Sequence, residues 1–185
     1  MLRIFKNDNC EIECVKNLRI YSSLPDDYII FLNKYNGGDT PKTTFRLNKI
    51  SSDIRFFYGF TPDEKYKDIT LLFLNSDMIN LIDDGYFPIA EDSFGNYILL
   101  GLTSKTGVYF FDHETQKITK LADSFSLFVK AITSKKFQPK SIEERISKMK
   151  DVGSTVEVTP ELMKMWKSEI DKYGGRKQLI VNLDE

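Results

Sequence analysis

The stretch from Phe87 to Leu121 constrains the fold of this chain most, because short apolar runs recur there between polar turns. Asn96-Tyr-Ile-Leu-Leu-Gly-Leu102 and Gly107-Val-Tyr-Phe-Phe-Asp112 read as antiparallel strands joined by the turn-like Thr103-Ser-Lys-Thr106. His113-Glu-Thr-Gln116 is a second turn and leads into another strand, Lys117-Ile-Thr-Lys-Leu121. Ahead of them, Phe87-Pro-Ile-Ala90 is a short extended piece, since the residue before a proline avoids the helical region.

Helices flank this run of hairpins. In Leu24-Pro-Asp-Asp-Tyr-Ile-Ile-Phe-Leu-Asn-Lys-Tyr-Asn-Gly-Gly38, Pro25 suits the first helical position, where its missing N–H costs nothing. Asp26 and Asp27 oppose the positive end of the helix dipole, and Tyr28, Phe31, Leu32 and Tyr35 make one apolar face. Gly37-Gly38 is the expected stop. Asp123-Ser124 caps another helix running through Phe125, Phe128, Val129 and Ile132. Thr43–Leu47 and Ile54–Tyr58 read as strands, and the apolar spacing within 66–82 fits a helix better than a strand. The fold class is therefore α+β, with a mainly antiparallel sheet flanked by helices.

After Thr133 the pattern changes. Lys135-Lys136 and Gln138-Pro139 precede a polar helical stretch, Ser141–Lys150. Thr159-Pro160 opens an amphipathic helix through Leu162, Met165, Trp166, Ile170 and Tyr173, stopped by Gly174-Gly175, and Gln178–Asn182 reads as a terminal strand. The expected organisation is an α+β domain over 1–134 and a C-terminal appendage over 135–185, mostly helical and packed on the core.

Composition excludes classes. Among 185 residues, 26 Lys+Arg oppose 27 Asp+Glu, and a net charge of -1 argues against direct nucleic-acid binding. The opening Met1–Cys14 lacks the apolar stretch of a signal peptide, and no window approaches the ~18 apolar residues of a membrane span, so neither is expected. With two cysteines, Cys10 and Cys14, the expected compartment is a reducing cytoplasm. Their C-x3-C spacing falls short of the four ligands of a zinc site, because the single histidine, His113, is far along the chain; no metal and no cofactor are expected.

Catalytic patterns fail in turn. Asp112 and Glu114 flank His113, but the zinc-protease motif needs a second histidine where Lys117 stands. No G-x-S-x-G elbow occurs. Gly37-Gly38 follows its helix instead of preceding one, so it is a cap and not a phosphate cradle. The neighbours Asp26/Asp27, Asp83/Asp84 and Glu91/Asp92 point apart and read as caps, turns and solvated groups. As a surface, such acids would meet a basic partner and speed its capture. Met163, Met165 and Trp166 either pack within their own domain or dock a partner.

Two segments together resemble a known family. Leu24-Pro-Asp-Asp-Tyr28 runs into Phe31-Leu32 and Asn36-Gly-Gly38. Later, Phe87-Pro-Ile-Ala-Glu-Asp-Ser-Phe-Gly-Asn-Tyr-Ile-Leu-Leu100 precedes Gly107-Val-Tyr-Phe-Phe-Asp-His-Glu114 and Ala122-Asp-Ser-Phe-Ser-Leu-Phe128. This order, over roughly 18–132, is similar to the SUKH superfamily, the SMI-KNR cell-wall-regulator-like family. The stretch before Leu24 is short for the family's leading helix, and residues after 134 lie outside the shared core.

The resemblance implies an α+β domain with no enzymatic activity. It implies an immunity protein that binds a cognate bacterial toxin, often a nuclease, and blocks it; the alternative is a regulatory interaction module for a cell-wall or signalling protein. The sheet and its loops would meet the toxin, and the candidate contacts are acids and aromatics expected to be exposed near the sheet: Asp39, Asp53, Tyr58, Asp63, Glu91, Asp92 and Glu114. A nuclease cleft is basic, and such acids would complement it.

Overall fold

The computed structural model describes residues 1–8 and 12–184. Cys10 lies outside the described residues, and with it the C-x3-C pair; Cys14 is half-buried with a free thiol. The chain forms one unit from Met1–Lys135 with Gln178–Glu185, and a second from Lys136–Lys177.

The strands of the first unit are β1 (Arg3–Lys6), β2 (Gly38–Asp39), β3 (Thr43–Leu47), β4 (Ile50–Asp53), β5 (Phe56–Phe57), β6 (Tyr86–Glu91), β7 (Tyr97–Gly101), β8 (Val108–Asp112), β9 (Lys117–Ala122), β10 (Thr133–Ser134) and β11 (Leu179–Ile180). Its α-helices are α1 (Ile12–Lys16), α2 (Asp26–Tyr35), α3 (Ser76–Asp83) and α4 (Phe125–Ala131). The main sheet has eight strands in the order β11-β1-β2-β5-β6-β7-β8-β9, and β10-β3-β4 form a second sheet. Every named pairing is antiparallel. The fold is α+β, as the hairpin run implied. The C-terminal strand β11 closes the edge against β1, where the Val181 amide donates to the Leu2 carbonyl at 2.9 Å.

Alternation along the strands divides the main sheet into two faces. Phe57, Ala90, Ile98 and Phe110 are cross-strand partners on one of them. Aromatic rings cover that face: Phe31 of α2 lies 5.2 Å from Phe57 and 5.2 Å from Phe125 of α4, and Phe45 of β3 lies 6.2 Å from Phe110. Truncating Phe125 here would cost about 3–5 kcal/mol, because the ring leaves a cavity that its neighbours cannot fill. The Asp27 carboxylate joins the two helices by accepting from the Ser126 amide at 2.8 Å and its hydroxyl at 2.9 Å. Ser124 caps α4 as expected, its hydroxyl accepting from the Leu127 amide.

Local differences from the sequence reading have physical causes. Pro25 is the extended cap of α2, and Asp26 is its first helical residue. The helix stops at Asn36, which takes the left-handed conformation (φ 51°) ahead of the glycines. Gly37 is still required, since a Cβ there would lie 2.3 Å from the Tyr58 carbonyl oxygen. The 66–82 stretch is not one helix. It is a 3-10 turn over Ile69–Leu74 and then α3, because polar side chains capture the backbone: Asp68 accepts from the Thr70 amide, and Asn75 accepts from the Asp77 and Met78 amides. Strand β4 was not anticipated; its Ser51-Ser52-Asp53 lacks the apolar alternation that marks a strand.

The second unit contains α5 (Ile142–Asp151) and α6 (Pro160–Tyr173). Ser141 and Glu144 form a capping box at the start of α5, and Thr159 caps α6. Arg145 donates to Glu169 at 2.6 Å and lies over the Trp166 ring at 5.6 Å. Phe137 meets Tyr173 edge-on at 5.3 Å.

Candidate partner-binding face

The register sets a row of side chains across the other face of the main sheet. Asp39 pairs with Phe56, Phe56 with Glu91, Glu91 with Tyr97, Tyr97 with Phe111, and Phe111 with Ile118. At its centre the Glu91 carboxylate accepts from the Tyr58 hydroxyl at 3.1 Å and from the Arg55 guanidinium at 3.1 Å. Arg55 keeps 46% of its side chain in solvent and Glu91 19%, so this ion pair lies at the surface with aromatic walls. Arg55 also lies 5.5 Å over the Phe56 ring.

Burial pushes the Glu91 carboxyl above its ordinary range, and the Tyr58 hydrogen bond and Arg55 charge pull back against it. Burial likewise raises the Tyr58 hydroxyl far above its usual value, reinforced by Glu91. Tyr97 is raised by burial and then by the carboxylates of Glu91 and Asp77. Asp77 of α3 thus acts on Tyr97, while Arg55 offsets the acid at the centre of the row.

One end of the row opens into a groove of about 510 Å³ between α3 and the β7–β9 part of the sheet. Met78, Leu81, Tyr97, Phe111 and Ile118 supply its apolar lining, and Asp77 and Asp84 stand along it. His113 reaches the same groove; its Nδ1 lies 3.0 Å from the Asn96 side-chain oxygen, which also accepts from the His113 amide.

The acids and aromatics anticipated as exposed contacts divide sharply. Asp39 is buried, and its carboxylate accepts from the Lys67 ammonium at 3.2 Å. Tyr58 is buried behind Glu91. Asp92 is 0% exposed and accepts from the Ser52 hydroxyl at 2.7 Å, the Phe94 and Asn96 amides at 2.8 Å each, and the Asn96 side chain at 2.9 Å. Those three are not surface groups; they build the scaffold, because each finds its polar partner inside the fold: the Lys67 ammonium for Asp39, the Glu91 carboxylate for the Tyr58 hydroxyl, and the Ser52 hydroxyl with two backbone amides for Asp92. Asp53 is half-buried and accepts from the Ser93 amide at 3.0 Å and from its hydroxyl, fastening the β6–β7 turn to β4. Asp63 and Glu114 are exposed. Only Tyr58 and Glu91 come together as a pair, while Asp53 and Asp92 brace the same turn.

Arg55, Tyr97, Phe111 and Ile118 escaped the sequence reading, as did Asp77 and Asp84. The row was hidden because a cross-strand line depends on register, to which a bulge between Pro88 and Ala90 adds a shift. Among the described residues no group of three or more His, Cys, Asp or Glu has the arrangement to hold a metal ion. No described helix is long and apolar enough to cross a membrane. In the second unit Trp166 is half-buried while Met165 is exposed.

This α+β frame is the fold class that the sequence resemblance implied. A family profile for the SMI1-KNR4 cell-wall (SUKH) family matches residues 16–129. The chain belongs to the SMI1-KNR4 cell-wall family. The matched SUKH region holds α2, α4, the whole aromatic row and the groove beside α3. Comparison with curated proteins and with solved structures finds no match.

Proposed function

We propose that this SUKH chain is an immunity protein that acts in the cytoplasm by binding a cognate toxin in a fixed stoichiometry, without turning anything over. The observation that carries the reading is the Arg55–Glu91 pair, its guanidinium 46% in solvent, beside the half-buried Tyr97 ring. An arginine next to a partly exposed aromatic ring inside a polar rim is the chemistry of an interface hot spot. Family membership supports a role in binding another protein.

In this reading the toxin covers the row and the α3 groove. Glu91 takes part directly, Asp53, Asp63 and Glu114 form the acidic rim, and Asp39, Tyr58 and Asp92 act from beneath by holding the surface in shape. If the toxin is a nuclease, its nucleic-acid cleft carries the positive charge these acids complement.

The test is co-expression with the protein encoded by the adjacent gene, scored by survival and co-purification. Rescue of a lethal neighbour with a stable complex is the expected result. A harmless neighbour with no complex would remove the immunity reading for that partner and put a regulatory interaction module in its place.

A further inference from the structure

We infer that the groove between α3 and the β7–β9 part of the sheet receives an arginine side chain of the protein partner. This inference rests on the partner-binding reading above and adds the chemistry of what is bound. Three features of the groove converge on arginine.

The first is its charge. Asp77 and Asp84 lie seven positions apart, about two helical turns or ~10 Å along α3, and so fall on one side of it. Neither carboxylate has an ion pair among the described residues. Asp84 stands just past the last residue of α3, where the helix dipole is already negative, so the C-terminal end of the groove concentrates negative potential. The Lys105 ammonium donates to the Asp84 carbonyl oxygen and lies 4.2 Å over the Tyr86 ring, so it offsets part of the potential at that end, while the Asp77 carboxylate at the other end has no ion pair among the described residues.

The second is the lining. Tyr97, Phe111 and Ile118 come from adjacent strands in one cross-strand row and present a flat apolar floor. A guanidinium stacks on aromatic faces and its methylenes cover apolar surface, whereas an ammonium holds its water more tightly. The third is size. About 510 Å³ accommodates an arginine side chain with part of its own backbone segment, and an anionic or purely aliphatic group would leave Asp77 and Asp84 buried without a counter-charge.

The experiment uses the full chain, labelled for NMR at aromatic and methyl positions, and the probe Nα-acetyl-arginine amide at up to about 10 mM. The expected result is a saturable shift of the Tyr97, Phe111 and Ile118 signals that Nα-acetyl-norleucine amide does not produce. The double variant Asp77→Asn/Asp84→Asn, checked for an unchanged circular dichroism spectrum, should weaken the effect about tenfold or more, as expected when charge-assisted contacts are lost. Equal shifts with the norleucine probe, no shift at those signals, or undiminished binding by the folded double variant would each overturn the inference. Toxin rescue without arginine binding would sink the groove and spare the immunity reading; arginine binding without rescue would do the reverse.

Discussion

The Lys67 ammonium is fully buried and lies 3.2 Å from the Asp39 carboxylate, with Glu64 2.7 Å away on the other side. A charge of that kind is tolerated in an interior only when it is paired. The pair fastens the 65–67 turn onto the short strand β2, at the end of the row opposite the α3 groove. Lys67→Met leaves Asp39 buried without its cation, and the expected loss is about 3–5 kcal/mol in chemical denaturation. The double change Lys67→Met/Asp39→Asn should recover part of that loss; a double variant no better than the single one would mean the pairing contributes nothing.

Asn36 predicts a graded response at the end of α2. Its left-handed backbone is matched by its side chain, which donates to the Asp8 carbonyl at 2.7 Å and the Phe60 carbonyl at 3.1 Å, and accepts from the Phe60 amide at 2.8 Å. Asn36→Gly loses these hydrogen bonds and keeps the backbone. Asn36→Ala loses both and should be the less stable by a further ~1 kcal/mol in thermal unfolding. Equal stability of the two variants would remove the conformational part of the argument.

Tyr28 predicts a gain. Its hydroxyl is buried with no hydrogen-bond partner among the described residues, while its ring packs 5.1 Å from Phe125. Tyr28→Phe keeps the ring and removes the orphaned hydroxyl, so unfolding should shift upward by about 1 kcal/mol. A destabilised variant would show that the hydroxyl has a partner after all.

Glu91 predicts a pH dependence of definite sign. Burial raises its pKa above the model-peptide value of 4.5, so the folded chain holds this proton more tightly than the unfolded one. The associated stability is present at low pH and is lost as pH rises through the folded value. Relative to the parent, Glu91→Gln should therefore become more stable as pH is raised from about 4 to about 7. Parallel stability curves for the two proteins over that range would contradict the shift. The effect stays modest because Arg55 and Tyr58 oppose it.

Much of the fold was legible because it is written in short-range chemistry. The Ser124 cap, the helix opened by Thr159-Pro160 and the hairpins β7–β8 and β8–β9 depend on residues within a few positions of one another. The sequence places the stop of α2 at Gly37-Gly38, whereas Asn36 takes it, because asparagine tolerates the same left-handed conformation. The binding face was harder. Asp39, Tyr58 and Asp92 have the composition of surface contacts, and only their distant partners Lys67, Glu91 and Ser52 reveal them as scaffold. Conversely, Tyr97, Phe111 and Ile118 look like ordinary strand residues until register aligns them beside α3.

The most direct test of the central claim is a titration of the purified toxin with this chain, reading residual toxin activity against molar ratio. Stoichiometric binding predicts a linear fall that ends at a fixed equivalence point and does not deepen with incubation time. Progressive inactivation by far less than one equivalent would contradict it and point to turnover, and full toxin activity at large excess would contradict neutralisation itself.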